Sequence, residues 1–310
     1  MIAALTWAGA HARFIMAGGC VVALFLPALS AGLRPALPVL VAMVLAMAVA
    51  RIDLGALMHS ALRPRRLAQS IALVILLMPV TGALYLGLAR LFGLDAVSLV
   101  LLAAAPPIAS ATGLALLLGF QAARALELTI GATILTPVIG PVMVGLFLPE
   151  FAPISGLDLG LRLALIIAGG FLWGAAIRYV VGAARITSHK SVFDGLAALG
   201  MVLFVIPLFD GVGATILAAP GTAAATFALA VVFNLGIFVV MAKVLMRAVS
   251  APDAGTLALV WGNRTVAIYL AALPPDPGFT LFVALYQFPM YFTPLIMRFF
   301  VGRPAAENPS

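Results

Sequence analysis

One cation stands inside an otherwise apolar stretch of this chain: Arg264, within Trp261-Gly262-Asn263-Arg264-Thr265. A charged side chain at the centre of a bilayer costs at least about 2.5 to 3.5 kcal/mol, so it normally faces the protein interior and has a partner. Three roles are open for this guanidinium. It binds a carboxylate or sulfate of a substrate, it pairs with Glu127, or it caps carbonyl groups that a break in its own helix sets free.

A second apolar stretch is interrupted at Ala105-Pro106-Pro107-Ile108-Ala109-Ser110-Ala111-Thr112. The two prolines remove two N–H donors and stop a helix, while Ser110 and Thr112 offer hydroxyls to the freed backbone groups. Backbone groups cannot stay unpaired in hydrocarbon, so each break must be shielded by protein or line a wet cavity. Two interrupted helices at corresponding places in the two halves of a chain indicate the binding site of a transporter.

The candidate site residues lie in these two breaks and on the helix that follows the first break. On that helix Thr133 and Thr136 are three residues apart and therefore share a face. The candidate substrate and crossover residues are Pro106, Pro107, Ser110, Thr112, Thr133, Thr136, Asn263, Arg264 and Thr265, with Glu127 as the candidate charge partner. Other polar residues within apolar runs include Thr81, Thr129, Asn234, Tyr269, Tyr286 and Gln287. Of these, Asn234 and Gln287 are expected to hydrogen-bond between helices.

The elements that must position these residues are membrane helices. The chain of 310 residues is 65% hydrophobic and 9% charged, with a mean hydropathy of +1.23, whereas soluble proteins carry about 25% charged residues. The composition therefore predicts an all-α, integral membrane protein whose partner is the lipid bilayer. The net charge of +7 is scattered along loops, which argues against a nucleic-acid partner. Cys20 is the only cysteine, so a disulfide within the chain is excluded.

Hydropathy and length predict ten transmembrane helices, since each needs about 20 apolar residues. The predicted spans are 13–31, 36–50, 68–92, 96–119, 125–148, 158–182, 192–210, 216–246, 254–273 and 278–301. With a cytoplasmic N-terminus, most of the 17 Lys and Arg residues fall in loops on the cytoplasmic side. We therefore expect both termini to be cytoplasmic, in a membrane of the bacterial inner type.

Ten spans divide into five and five, and an odd number in each half makes the second half enter the membrane in the opposite sense. The chain is thus expected to be a single polytopic domain of two inverted repeats, approximately 13–148 and 158–301, with the fourth and ninth helices broken. Weak internal similarity supports the division. The helix after each break carries a matching motif, Leu135-Thr136-Pro137-Val138-Ile139 and Phe292-Thr293-Pro294-Leu295-Ile296.

From about Ala36 to Phe299 the sequence resembles the bile acid:sodium symporter family. The likeness is clearest in Arg51-Ile52-Asp53-Leu54 with Leu62-Arg63-Pro64-Arg65 and Leu77-Met78-Pro79, in Ala105-Pro106-Pro107 through Gly119, in Thr133 through Pro141, and in Gly262-Asn263 with Val266-Ala267. The resemblance implies ten helices in a panel domain and a core domain, with helices four and nine crossing in the core. It also implies uptake of an organic anion, often coupled to sodium.

The chain departs from the family at the sodium ligands. The residues at those positions are Ala111, Thr112, Ala258, Gly262 and Val74, while Asn263 and Thr133 keep a matching polar type. The family's sodium-binding glutamate has become Ala258, so a negative charge is missing, and Arg264 adds a positive charge beside it. No cofactor is therefore expected, and sodium coupling is disfavoured. We hypothesise that the guanidinium replaces the bound cation.

These observations predict a secondary transporter of small amphipathic or carboxylate-bearing organic anions, which works by alternating access at the crossover of helices four and nine. Facilitated diffusion and proton coupling through Glu127 are equal alternatives to sodium coupling. A transport-inactive membrane sensor or scaffold on the same fold is the second interpretation. An enzyme is not expected, because the spans hold no recognisable nucleophile, metal cluster or acid/base pair.

Overall fold

A computed structural model of the protein describes residues 2–52, 64–151 and 154–301. These residues are almost entirely helical and contain no β-strand. Six helical runs are long and apolar enough to cross a membrane: Pro27–Ala50, Ala68–Phe92, Ala122–Phe147, Gly156–Val181, Lys190–Phe209 and Pro220–Leu245. The prediction of an all-α protein with membrane-spanning helices is confirmed at this level. The family motif residues Asp53, Leu54, Leu62 and Arg63 lie outside the described part.

The N-terminal region differs from the predicted spans 13–31 and 36–50. It forms α1 (Ile2–Ala10), α2 (Ala12–Ala23), α3 (Pro27–Leu33), a 3-10 turn (Arg34–Ala36) and α4 (Leu37–Ala50). The first predicted span is divided because Leu26 leaves the helical conformation and Pro27 starts a new helix at its first position. The apolar run that begins at Pro27 continues to Ala50, so this region has one long span preceded by a shorter helix.

The first break divides the predicted span 96–119 into two short helices. The elements here are α5 (Pro64–Phe92), α6 (Ala96–Ala104), α7 (Ala111–Leu117) and α8 (Ala122–Phe147). The carboxylate of Asp95 caps α6 by accepting from the backbone N–H of Val97 and of Ser98. The helix ends at Ala104, where the two following prolines prevent its continuation.

The C-terminal half contains the second break. Its elements are α9 (Gly156–Val181), α10 (Ala183–Ser188), α11 (Lys190–Val205), a 3-10 turn (Ile206–Phe209), α12 (Val212–Ala218), α13 (Pro220–Val231), a π-helical turn (Val232–Gly236), α14 (Ile237–Leu245), α15 (Ala251–Gly262), α16 (Ala267–Ala272) and α17 (Pro277–Val301). Ser250 caps α15 by accepting from the backbone N–H of Asp253. The predicted span 254–273 is therefore also two short helices, separated at Asn263.

The helices pack in two groups. In the first group α9 lies along α4, and α11 contacts α2 and α4. Small residues permit this contact, since a Cβ atom built on Gly174 would lie 2.7 Å from the carbonyl oxygen of Ala46 and one on Gly170 would lie 2.7 Å from the Leu45 side chain. In the second group α6 packs against α5 and α8, and α15 packs against α14 and α8. Both breaks belong to this second group.

Candidate functional site at the paired helix breaks

The unwound segments of the two breaks lie side by side and run antiparallel. The N–H of Ile108 donates to the carbonyl of Asn263 at 3.0 Å, and the N–H of Thr265 donates to the carbonyl of Pro106 at 2.8 Å. This exchange makes an isolated antiparallel bridge between Pro107 and Arg264. Each break thus shields the other, which is what an interruption at membrane depth requires.

The first break has more acceptors than donors, because its two prolines have no N–H. The carbonyl groups of residues 104–107 all accept hydrogen bonds from the second break and the helix after it. The pairs are Tyr269 Oη to Ala104 at 2.9 Å, Arg264 Nη1 to Ala105 at 2.8 Å, Thr265 N to Pro106 at 2.8 Å and Thr265 Oγ1 to Pro107 at 3.2 Å. The donor-rich second break therefore complements the acceptor-rich first break.

The carbonyl groups of residues 261–263 are satisfied as well. Their donors are Arg264 Nε to Trp261 at 3.1 Å, Tyr286 Oη and Asn234 Nδ2 to Gly262, each at 2.8 Å, and Ile108 N to Asn263 at 3.0 Å. The amide of Asn234 also donates to Tyr286 Oη at 3.1 Å and accepts from Thr293 Oγ1 at 2.9 Å. Asn234 lies in the π-helical turn, a feature that often marks functional positions in helices.

Arg264 joins the ends of two helices. Its Nη1 donates to Ala105, the residue that ends α6, and its Nε donates to Trp261 in the last turn of α15. The guanidinium carbon lies 4.5 Å from the centroid of the Trp261 ring, and the residue is 2% exposed. Its Nη2 finds no hydrogen-bond partner among the described residues. The predicted capping role is therefore observed, and it extends to both broken helices.

Of the three roles left open for Arg264, a pair with Glu127 is not observed among the described residues. Glu127 Oε2 lies 3.6 Å from Nη1 of Arg124, three residues earlier on α8, and accepts a hydrogen bond from Ser70 Oγ at 3.1 Å. Residues three apart on a helix are neighbours, so Arg124 reaches the carboxylate without any tertiary rearrangement. Contact of Arg264 with a substrate stays a prediction.

The structure brings together five of the predicted site residues and leaves the others apart. Pro106, Pro107, Asn263, Arg264 and Thr265 form the bridge. By contrast, Ser110 is exposed, and within the described part its side chain and that of Thr112 make no hydrogen bond. The hydroxyls of Thr133 and Thr136 donate to carbonyls of their own helix, both at 2.7 Å, so they are used locally.

Besides Asn234, three side chains that hold the site are not among the predicted site residues. The sequence marks Tyr269 and Tyr286 only as polar groups within spans, and it gives the indole of Trp261 no role. The Trp261 N–H donates to Thr81 Oγ1 at 2.7 Å, which ties α15 to α5. The sequence signal that could have identified the tyrosines is their hydroxyl group, because the freed carbonyls of a broken helix need hydrogen-bond donors at the same depth.

A cavity that is open to the surface lies at the end of α16, beside α3 and α4. Its volume is about 420 Å³, and its lining includes Arg34, Leu37, Asp210, Leu270 and Leu273. The guanidinium of Arg34 donates to the carbonyl of Pro207 and to the hydroxyl of Thr280, both at the long distance of 3.4 Å. A second cavity of about 180 Å³ lies between α8 and α9. The bridge residues line neither of these two cavities.

The residues at the breaks do not fit a sodium ion. A cation site at broken helices needs free oxygen ligands from unwound carbonyls or side chains. Here the carbonyl oxygens of residues 104–107 and 261–263 are already bonded to N–H or O–H donors. Within the described ranges no group of three or more His, Cys, Asp or Glu side chains is arranged to hold a metal ion.

A search against known protein families gives no match for this chain, and a search among characterised proteins gives none either.

Proposed function

We propose that the protein is a secondary transporter of small organic anions in the manner of the bile acid:sodium symporters, with ten membrane helices arranged as two inverted repeats. The observation that carries the proposal is the antiparallel pairing of two broken helices through a mutual N–H to C=O exchange. Unwound helix segments at membrane depth are costly, and in transporters they form the substrate and ion sites.

The helices that follow the two broken spans support the inverted repeat. The helix α8 follows α7, α17 follows α16, and each carries a Thr-Pro pair. In both helices the threonine hydroxyl donates to the carbonyl four residues earlier, Thr136 to Ala132 at 2.7 Å and Thr293 to Pro289 at 2.9 Å. This bond is common to helical threonines, so it is the matching position of the two Thr-Pro pairs that favours a duplication, with approximate limits 13–148 and 158–301.

The proposed substrate is a small molecule with a carboxylate and an apolar body. The cavity at the end of α16 has a volume of about 420 Å³, and ligand cavities typically measure about 300–1,000 Å³. Arg34 provides a cation there, with Asp210 as a neighbouring anion. Both hydrogen bonds of Arg34 are long, and a guanidinium forms stronger bidentate bonds with a carboxylate. Leu37, Leu270 and Leu273 provide the apolar lining. The cavity is lined by α3, α4, Asp210 and the end of α16, so movement of α16 relative to α4 would change its width.

The test is uptake by purified protein in liposomes, in a membrane of bacterial lipid. A panel of radiolabelled aliphatic and aromatic carboxylates is offered with either sodium chloride or choline chloride outside. We expect saturable uptake of at least one carboxylate, at the same rate in both salts. A dependence on an imposed pH gradient that is lost in Glu127→Gln would identify proton coupling, and uptake without any gradient would identify facilitated diffusion.

Arg34→Gln provides the residue-level test, with Arg90→Gln as its matched control. Arg90 is an exposed arginine at the end of α5 and is absent from the residues that line the cavity. A hydrogen bond to a charged group contributes about 1.5–3 kcal/mol, so Arg34→Gln should raise the KM for uptake at least about tenfold while Arg90→Gln leaves it unchanged. Equal effects of the two substitutions on KM would mean that the substrate does not bind in this cavity. Specific binding without uptake would instead favour a transport-inactive sensor.

A further inference from the structure

We infer that Arg264 is a tethered cation: its guanidinium supplies, from within the chain, the positive charge that holds the two helix breaks together, so the protein needs no bound sodium. The inference concerns the same site as the proposed transport function, and only its consequence for sodium coupling rests on that function. Its tests measure stability, so the two proposals can fail separately.

Two helix C-termini favour a positive charge at the breaks. The C-terminal ends of α6 and α15 meet at the guanidinium, which bonds to the carbonyls of Ala105 and Trp261. Each helix C-terminus carries about half a negative elementary charge. Two such ends together match about one monovalent cation, which is the charge that Arg264 brings.

In the described part of the chain, no acidic side chain balances the charge of the Arg264 guanidinium. Positions 258 and 262 are alanine and glycine, and no carboxylate forms an ion pair with Arg264 within the described part of the chain. The face of the Trp261 ring lies 4.5 Å from the guanidinium carbon, where a ring attracts a cation. The positive charge of the guanidinium is therefore balanced by the backbone carbonyls of two helix ends.

The acceptor-rich first break also needs hydrogen-bond donors, and Arg264 supplies them. The first break contains two prolines, so its carbonyl groups cannot be matched by N–H groups of the same segment. Arginine carries five N–H donors and no acceptor, and it cannot lose its charge in a protein. At this position it satisfies carbonyls of both helices at once.

Removal of the guanidinium would create a cation site. In Arg264→Ala the carbonyls of Ala105 and Trp261 lose their donors, and a buried space lined by two helix C-termini remains. A small cation, either guanidinium or sodium, could then bind between them. Binding to the folded state alone raises its stability in proportion to the logarithm of ligand concentration.

The experiment is a thermal unfolding series on purified protein in detergent, at constant ionic strength. Sodium chloride is titrated against choline chloride, and guanidinium chloride is then added at low millimolar concentrations. The variants are Arg264→Ala and Arg162→Ala. Arg162 is the matched control, since its Nη1 donates to the carbonyl of Ala272 at the end of α16, at 3.1 Å, outside the breaks.

We expect the melting temperature of the wild-type protein to be the same in sodium and in choline. Arg264→Ala should melt at a lower temperature, and guanidinium should restore part of the loss with saturation, as a ligand does. Arg162→Ala should show no saturable response to either cation. Arg264→Lys, which keeps the charge but loses the fork, should melt between the wild type and Arg264→Ala and should not respond to sodium.

Two results would overturn the inference. One is a saturable stabilisation of the wild-type protein by sodium, which needs no variant to be measured. The other is an Arg264→Ala protein that melts with the wild type and responds to no cation. If Arg264→Ala does not accumulate in a folded form, Arg264→Lys decides the matter, because a saturable sodium response in that variant contradicts a charge-balancing role.

Discussion

The hydroxyl of Tyr286 provides the sharpest test of how the breaks are stabilised. It donates to the carbonyl of Gly262 at 2.8 Å and accepts from the backbone N–H of Arg264 at 3.3 Å and from Asn234 Nδ2 at 3.1 Å. The ring itself is fully buried. Tyr286→Phe removes this hydroxyl and keeps the ring, so its cost reports the hydrogen bonds alone.

The magnitude depends on which groups lose every partner. The carbonyl of Gly262 keeps its 2.8 Å hydrogen bond from Asn234, whereas the N–H of Arg264 has no other acceptor among the described residues. A buried donor without a partner costs about 1–3 kcal/mol. The lost bond to Gly262 adds about 0.6 kcal/mol, the average for hydrogen bonds between membrane helices. We therefore expect Tyr286→Phe to lower the free energy of unfolding by about 1.5 to 3.5 kcal/mol.

Tyr291→Phe is the matched control on the same helix. The Tyr291 hydroxyl is buried and has no hydrogen-bond partner in the described part of the chain. Its removal eliminates an unsatisfied polar atom, so stability should stay the same or rise. The assay is equilibrium unfolding in mixed micelles with increasing SDS, followed by helical circular dichroism. If both substitutions cost the same free energy, the network at Gly262 does not stabilise the protein and the reasoning fails.

Two further predictions concern packing beside the breaks. In Gly140→Ala the new methyl group would collide with the Tyr269 hydroxyl, which should cost about 1–3 kcal/mol of unfolding free energy. The control is Gly145→Ala on the same helix, where the methyl group meets open space and should be neutral or stabilising. Equal costs of the two substitutions in SDS unfolding would contradict the packing. In Trp261→Phe the 2.7 Å hydrogen bond of the indole is lost, with an expected cost of about 1 kcal/mol; Trp173→Phe, at a side chain that is 42% exposed, should cost less in the same measurement.

Local sequence was sufficient to locate both breaks. Two consecutive prolines stop a helix in any context. An arginine among polar residues is too costly to face lipid in the middle of an apolar span, so it indicates an interruption there. Five of the predicted residues accordingly lie in the bridge. Ser110 and Thr112 make no side-chain hydrogen bond in the described part of the chain, so their role at the crossover stays a prediction.

The partner of Glu127 depends on where its helix begins. The predicted spans place Arg124 in a cytoplasmic loop, which leaves Glu127 without a basic neighbour. The helix α8 begins at Ala122, so Arg124 lies on the same helix and meets the carboxylate at i, i+3. A boundary shift of a few residues thus changed the partner of a buried charge. Helix ends are the least reliable part of a prediction from a single sequence.

Composition and hydropathy were enough to establish a helical membrane protein, since the need to satisfy the backbone in lipid leaves few alternatives. The partners of Arg264 depended on the tertiary structure. The carbonyls of Ala104 and Ala105 are satisfied by residues 165 and 159 positions away. No periodicity in the sequence encodes such pairs, because a backbone carbonyl lacks its donor only where a helix ends. The side chain that donates to it is the one that the packing of other helices places at the same depth.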